Sequence, residues 1–205
     1  MSAGARRGKL LVLEGLDGSG KSTQLPRLAA RLRAAGHTVI ETREPHDCAA
    51  GRRIRALARS GEPALPEQEL ALFMEQRRAH VRERIAPALA RGEVLLSDRY
   101  FLSTVAYQGA RGLDPAALLA ANEAEFPLPD LALLLELPPA AGLARVASRG
   151  EPAEPAFERG DFLARVETLF AALDRPYIER IDASGAPGEV EARIAAGVAR
   201  RTGLL

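Results

Sequence analysis

An α/β fold, a parallel sheet with helices on both faces, is what this sequence predicts, and two observations carry that expectation. Short apolar runs with strand character alternate along the chain with segments of helical period, the pattern left by parallel strands joined through crossover helices. Residues 15–22, Gly-Leu-Asp-Gly-Ser-Gly-Lys-Ser, also fit G-x-x-x-x-G-K-[ST] between the first such strand and the first such helix. In that context the string forms a phosphate-binding loop, which places the chain in the P-loop NTPase class with a five-stranded sheet.

Taken in order, the first strand pattern is Leu10–Glu14, four apolar residues ending in a carboxylate. The loop, 15–23, carries Gly15, Gly18 and Gly20; glycines let backbone N–H groups converge on phosphate oxygens, and the following helix adds the positive end of its dipole. Gly15, Gly18, Ser19, Gly20, Lys21, Ser22 and Thr23 are therefore the candidate ATP site, with Lys21 reaching the outer phosphates and the Ser22 hydroxyl on Mg2+. Lysine occurs only at positions 9 and 21 in a chain that otherwise uses arginine, which fits a need for a compact ammonium between phosphates. The helix Lys21–Ala35 repeats apolar residues at Leu25, Leu28, Ala29 and Leu32. Pro26 in its second turn removes a donor and crowds an earlier carbonyl, so a bend or a later helix start is expected.

A second strand pattern follows at Thr38–Thr42, a helix at about Ala49–Arg59, one long helix at Glu67–Arg91 and a third strand at Val94–Ser97. Beyond these come a helix at Pro115–Glu125, a strand at Leu131–Leu137, helices at Ala140–Ala147 and Asp161–Leu173, a weaker strand at Tyr177–Asp182 and a closing helix at Pro187–Arg201. Gly36, Gly92 and Gly150 stand where helix ends place a glycine.

The 205 residues suffice for one domain, 1–205, and one large core. With 28 Lys plus Arg against 27 Asp plus Glu, the net charge of +1 gives no overall pull toward nucleic acid or membrane, and neither partner is expected. The single cysteine, Cys48, excludes a disulfide within the chain and a multi-cysteine metal cluster. No apolar run approaches a membrane span, and the basic start, 1–9, precedes an apolar run of only about five residues, too short for a signal peptide. A reducing, cytoplasmic setting is the expectation.

Ligands of open parallel sheets bind beyond the carboxyl ends of the strands. The residues there are Asp17 in the loop, Arg43-Glu44-Pro45 after the second strand and Asp98-Arg99-Tyr100 after the third. Asp98 is placed like the acidic residue that steadies magnesium in phosphate-loop enzymes. Arg99 cannot act as a base, and its planar fork suits a phosphate. A second, phosphorylated substrate facing ATP is the consequence: it is already anionic, so its phosphorylation needs charge neutralisation and alignment more than a base. On the long helix, Leu70, Phe73, Arg77, His80 and Arg84 share one face; that face is either a base-reading surface or core packing with Arg77 solvated. Ser103-Thr104-Val105-Ala106-Tyr107-Gln108-Gly109 offers hydroxyls, an aromatic and an amide able to close over a sugar and base. His37, His46 and His80 show no paired carboxylate or metal spacing and read as incidental.

On Leu13 to Thr23, Thr42-Arg43-Glu44-Pro45, Phe73 with Arg77, Asp98-Arg99-Tyr100 through Ala106-Tyr107-Gln108-Gly109, and Pro129-Asp130-Leu131, the chain resembles the bacterial thymidylate kinases over nearly its whole length. The resemblance implies a nucleoside monophosphate kinase that moves the ATP γ-phosphate to dTMP in dTTP synthesis, with ATP and Mg2+ bound and the protein a homodimer. It implies that Lys21, Arg99, Asp17 and a lid arginine are catalytic, and that Ser22 and Asp98 lie at the metal. Asp17 would face the 3′-hydroxyl side of dTMP, Arg99 would grip its phosphate with Arg43 as a further contact, Phe73 would stack on thymine and Arg77 would bond O4. Ser103, Thr104 and Gln108 would line the base, and Tyr107 would crowd the 2′ position in favour of deoxyribose. The family divides by where its catalytic arginine sits, inside the phosphate loop or on a mobile lid; Gly18 occupies the loop position, which implies a lid-arginine enzyme with a short lid at about 145–160. Arg149-Gly150-Glu151 matches the start of such a lid, but Pro155-Ala156 stand where many lids carry Asp-Arg before Phe157-Glu158. Arg149 is the leading candidate, with Arg145 and Arg159 behind it. His46-Asp47-Cys48 replace the family's glycine-glycine-threonine before Gly51, Arg53 and Ile54 resume the pattern, and the Glu44–Pro45 bond is a candidate for cis. UMP, CMP or a deoxynucleoside as acceptor, and a nucleotide-binding switch, are the competing readings.

Overall fold

The computed structural model describes residues 7–60, 64–148 and 160–205. Alternation within the first strand, β1 (Lys9–Glu14), sorts its side chains between two layers. Leu10 and Val12 enter one core and Leu11 and Leu13 the other, all four fully buried. With β2 (Val39–Arg43), β3 (Val94–Asp98), β4 (Leu131–Glu136) and β5 (Ile178–Asp182), it forms a sheet of order β2-β3-β1-β4-β5 in which every pairing is parallel. The five strands match the expected ones to within two residues at either end.

One face is closed by α1 (Lys21–Ala34) and α9 (Pro187–Thr202), through Leu25, Leu28 and Leu32 beside Val190, Ile194 and Val198. The other carries α4 (Ala86–Ala90), α5 (Phe101–Ala110), α6 (Pro115–Glu125) and α8 (Gly160–Ala172), through Leu89, Phe101, Val105, Leu118, Val166 and Phe170. The remaining helices are α2 (Ala49–Ser60), α3 (Pro66–His80) and α7 (Pro139–Ser148). Lys9 and Asp130 tie β1 to the entry of β4: Lys9 Nζ donates to Oδ1 and the Leu10 amide to Oδ2, each at 2.9 Å.

α1 begins at Lys21 and runs through Pro26, so of the bend or later start expected there the later start is absent; the proline is exposed, so water can satisfy the Ser22 carbonyl that loses its intrahelical donor. Two other local expectations are corrected. The long helix is not one α-helix. After His80 a π-helical turn, Val81–Ile85, precedes α4, with the Ala86 N–H reaching back to the Val81 carbonyl. Pro87 is the cause: it lacks an N–H and its ring crowds the carbonyl four residues earlier, which a widened turn relieves. Finally, α5 forms where the patterning assigns no helix. Gly36 and Gly92 do adopt left-handed φ of 92° and 76° behind their helices, while Gly150 lies outside the described residues.

Candidate active site

The phosphate loop joins β1 to α1 through backbone that only glycine enters easily. Gly18 has φ +78°, and a Cβ built on it would stand 2.2 Å from the Gly142 carbonyl oxygen of α7; Gly15 has φ +134° and faces the Leu135 carbonyl in the same way. Lys21 is 6% exposed, and its Nζ donates to the carbonyls of Gly15 at 2.9 Å and Leu16 at 2.7 Å. Burial, then the charge of Arg99, push the ammonium down to about 8 against Asp17, Asp98 and Glu14. It thus carries a charge that a group of phosphate oxygens would stabilise.

Arg99 is held at the far side of the loop. Its φ of 70° is unusual for a residue with a Cβ and is imposed by its surroundings: its N–H donates to the Leu13 carbonyl at 2.9 Å and its own carbonyl accepts from Ser97 Oγ at 2.7 Å. The guanidinium donates through Nη1 to Ser103 Oγ at 2.9 Å and the Gly15 carbonyl at 3.2 Å, and through Nη2 to Asp17 Oδ1 at 2.5 Å. It lies 5.2 Å from the centre of the Tyr107 ring, whose hydroxyl donates to Asp17 Oδ2 at 3.2 Å. Partial desolvation pushes the Asp17 carboxyl up, but Arg99 and Lys21 outweigh it and bring it to about 2. Asp17, Lys21 and Arg99 are therefore charged together at neutral pH.

Behind them lies Glu14, fully buried and not on the cavity wall. It accepts the N–H groups of Tyr100 at 2.8 Å and Ser103 at 3.3 Å, and the Ser103 hydroxyl. It is thus the N-terminal cap of α5, supplied by β1. Burial pushes this carboxyl up to about 7, against the Ser103 hydrogen bond and the Arg99 charge.

Asp17, Lys21 and Arg99 open on one cavity of about 460 Å3. Its lining includes Asp17, Gly18, Gly20, Lys21 and Ser22 from the loop and the start of α1, Asp98 and Arg99 from the end of β3, Phe73 and Arg77 from α3, Ser103, Thr104, Tyr107 and Gln108 from α5, and Arg43 from the end of β2. Gly15, Ser19 and Thr23 belong to the loop but not to the lining: Ser19 is buried, and Thr23 is exposed in the first turn of α1. Arg149 and Arg159 lie outside the described residues. Arg145, on α7, donates to the carbonyls of Ala183 and Gly185 at 3.2 and 3.4 Å.

The face of α3 divides: Leu70 packs on the core, whereas Phe73 and Arg77 line the cavity. Arg77 is not solvated; it is 0% exposed. Its Nε donates to Glu44 Oε2 at 3.0 Å, Nη2 to Glu44 Oε2 at 2.6 Å and Thr104 Oγ1 at 2.8 Å, and Nη1 to Asn122 Oδ1 at 2.7 Å. The Tyr100 and Phe126 rings flank its Cζ at 5.4 and 5.5 Å. Burial pushes the Glu44 carboxyl up, and Arg77 with His80 more than reverse it, so Glu44 is ionised. Gln108 donates to Glu69 Oε2 at 2.7 Å, and its buried Oε1 has no hydrogen-bond partner among the described residues.

The histidine reading is corrected here. His80 is fully buried, with Nδ1 3.1 Å from Glu44 Oε1 and Nε2 2.9 Å from Thr42 Oγ1. His46 stacks on it at 5.0 Å between centroids and 17° between planes, and its Nε2 meets Glu83 Oε2 at 3.0 Å. Both have the carboxylates that sequence spacing did not reveal, because Glu44 sits 36 residues before His80. His37, against the Leu204 carbonyl at 2.9 Å, has none among the described residues. The reading also missed Glu14 and Asn122; the one local hint to Glu14 was a carboxylate ending an otherwise apolar strand. The Glu44–Pro45 bond is cis.

One feature fits a divalent cation. Asp98 Oδ1 is buried with no hydrogen-bond partner among the described residues, on the cavity that also exposes Ser22. One carboxylate and one hydroxyl suit a cation that keeps waters and takes phosphate oxygens as its other ligands.

The thymidylate kinase family model matches residues 13–194. The thymidylate kinase of Akkermansia muciniphila is 43% identical over 198 residues, which cover 97% of this chain and 95% of that protein. Those of Xanthomonas campestris pv. campestris and Desulfotalea psychrophila are 49% and 45% identical over 177 residues, 86% of this chain and 77% and 87% of theirs.

Proposed function

We propose, because this chain belongs to the thymidylate kinase family, that the cleft between Lys21 and Arg99 is where ATP and dTMP meet. The reaction is transfer of the ATP γ-phosphate to dTMP, giving dTDP and ADP. The observation that carries the site assignment is the shared cavity onto which the loop lysine and the acceptor-side Arg99, Phe73 and Gln108 all open.

In this reading the loop amides and Lys21 hold the donor phosphates, and Arg99 takes the dTMP phosphate, with Arg43 at the rim. Arg99 is oriented before substrate arrives by Asp17, Ser103 and the Gly15 carbonyl, so little rearrangement is needed as charge shifts in the transition state. The acceptor oxygen is anionic, and no base is assigned: Glu14, the carboxyl with a pKa near neutrality, is turned into the start of α5. Asp17 and Tyr107 form the sugar end, where the aromatic ring crowds the 2′ position in favour of deoxyribose. Phe73 stacks on the base, Arg77 donates to O4, and Thr104 and Gln108 line the remaining edge. Mg2+ would be held by Asp98 and Ser22 and would neutralise phosphate charge.

Gly18 supports a lid-borne arginine. Its φ and the approach of Gly142 leave no room for a side chain at the loop position that other family members fill with arginine. Arg145 is engaged with the loop after β5, which favours Arg149. The variant R149A should lower kcat by roughly 10²–10³-fold with the KM for dTMP changed less than about threefold, since such an arginine acts on transition-state charge. A change confined to KM in steady-state assays would transfer the role to Arg145 or Arg159. By the family resemblance the protein is a homodimer, and the lone Cys48 suits a reducing cytoplasm.

The test is an ADP-release assay with dTMP, dUMP, UMP, CMP and thymidine as acceptors. Fastest turnover with dTMP is expected. Turnover of UMP equal to or above that of dTMP would overturn the acceptor assignment.

A further inference from the structure

The buried cluster around Arg77 has more members than a base-reading arginine needs, and they form a chain. Arg77 has five N–H donors. Among the described residues, Glu44 and Thr104 take those of Nε and Nη2, and Asn122 takes one from Nη1. One Nη1 proton is left uncommitted, so the setting of the guanidinium decides where that donor stands. Glu44 makes three of the contacts that set it. Its Oε2 also accepts from Gln76 Nε2 at 3.0 Å, but among the described residues its Oε1 has, besides the Nδ1–H of His80 at 3.1 Å, only Arg77 Nε at 3.2 Å. An ionised carboxylate accepts only, so Nδ1 carries the proton. The ring is fixed in turn by Thr42 on β2 and by the stacked His46.

We propose that His80 is a positioning residue for recognition of the pyrimidine 4-position: through Glu44 it fixes the rotation of the Arg77 guanidinium and hence the place of its uncommitted N–H. The inference rests on the assignment of Arg77 to the thymine edge. His46 adds a second layer: its backbone N–H donates to Gln76 Oε1 at 2.7 Å, so the loop after β2 braces both the ring and the amide that hold Glu44.

The chemistry that reports this is acceptor against donor at the 4-position. dTMP presents a carbonyl there, and 5-methyl-dCMP presents an amino group with the rest of the base outline kept. A fixed N–H donates to the first and opposes the second, whereas a guanidinium free to turn discriminates less. His80→Gln removes the donor at the Nδ1 position, and His80→Asn places an amide N–H close to it. The ratio of kcat/KM for dTMP over 5-methyl-dCMP should fall about tenfold in H80Q and stay within about threefold of the unaltered protein in H80N, since the Glu44 contact returns. A merely structural role would lower both rate constants and Tm together and leave the ratio unchanged, and that result in folded H80Q overturns the proposal. If H80Q does not fold, T42V carries the test by freeing Nε2: the ratio should fall about threefold, and an unchanged ratio in folded T42V overturns it. Absence of dTMP turnover in the unaltered protein would instead overturn the proposed function, and this inference with it.

Discussion

Lys21→Met should lower kcat by about 10³-fold while leaving the protein folded, because Lys21 is the loop's one compact charge against the phosphates being separated. Methionine keeps the length of the side chain and removes only the charge and its donors. Folding should not suffer. The ammonium is pushed down to about 8 by burial and by Arg99, from an ordinary lysine value near 10.4, so between those values the folded protein binds fewer protons than the unfolded chain. Stability of the unaltered protein therefore rises with pH across that window, and below it the whole penalty is present. Methionine removes the penalty, and the urea midpoint of K21M at pH 7 should equal or exceed that of the unaltered protein. The same shift predicts that ATP affinity weakens as pH rises above about 8, since the phosphates favour the protonated amine. Calorimetry from pH 7 to pH 9.5 reads it directly, and kcat in K21M within about tenfold of normal would remove Lys21 from the reacting centre.

Whatever is written in one stretch of chain was legible before the structure. β1, the phosphate loop and the start of α1 are continuous from residue 9 to residue 34, and the apolar alternation and glycine spacing are local signals. The parts that escaped depend on distant partners. α5 has no side-chain cap of its own at Tyr100; its cap is Glu14, 86 residues earlier, and no local pattern announces that. His80 read as incidental because its carboxylate arrives from the end of β2. Arg77 illustrates both cases: its spacing from Phe73 put the two on one face, as either a base-reading surface or core packing, but its full burial depends on Glu44, Thr104 and Asn122 from three other stretches of chain. The π-helical turn was readable in principle, since Pro87 sits inside the run, but a proline there predicts disruption without saying which form it takes.

Glu44→Ala should destabilise the fold by about 3–5 kcal/mol, the largest effect on stability expected of a single substitution here. The reason is what it leaves behind. Arg77 is 0% exposed, and without Glu44 its charge remains in the core with, among the described residues, Thr104, Asn122 and two aromatic faces to answer it. His80 loses the acceptor for its Nδ1–H, a buried donor left unsatisfied, and Gln76 Nε2 keeps the Phe73 carbonyl at 3.2 Å but loses its second acceptor. A buried ion pair is nonetheless weak evidence for stability, because apolar residues of similar volume often replace one without loss. The double variant E44L/R77M should therefore recover most of the stability lost in E44A, as read by urea unfolding. It should not recover turnover, since the donor facing the base is gone. A loss below about 1 kcal/mol in E44A would mean that water or a neighbour reaches Arg77, and a double variant no more stable than E44A would mean that the pair holds the fold together. Recovery of stability without activity is the outcome that assigns this buried charge to recognition of the substrate, with the fold able to stand without it.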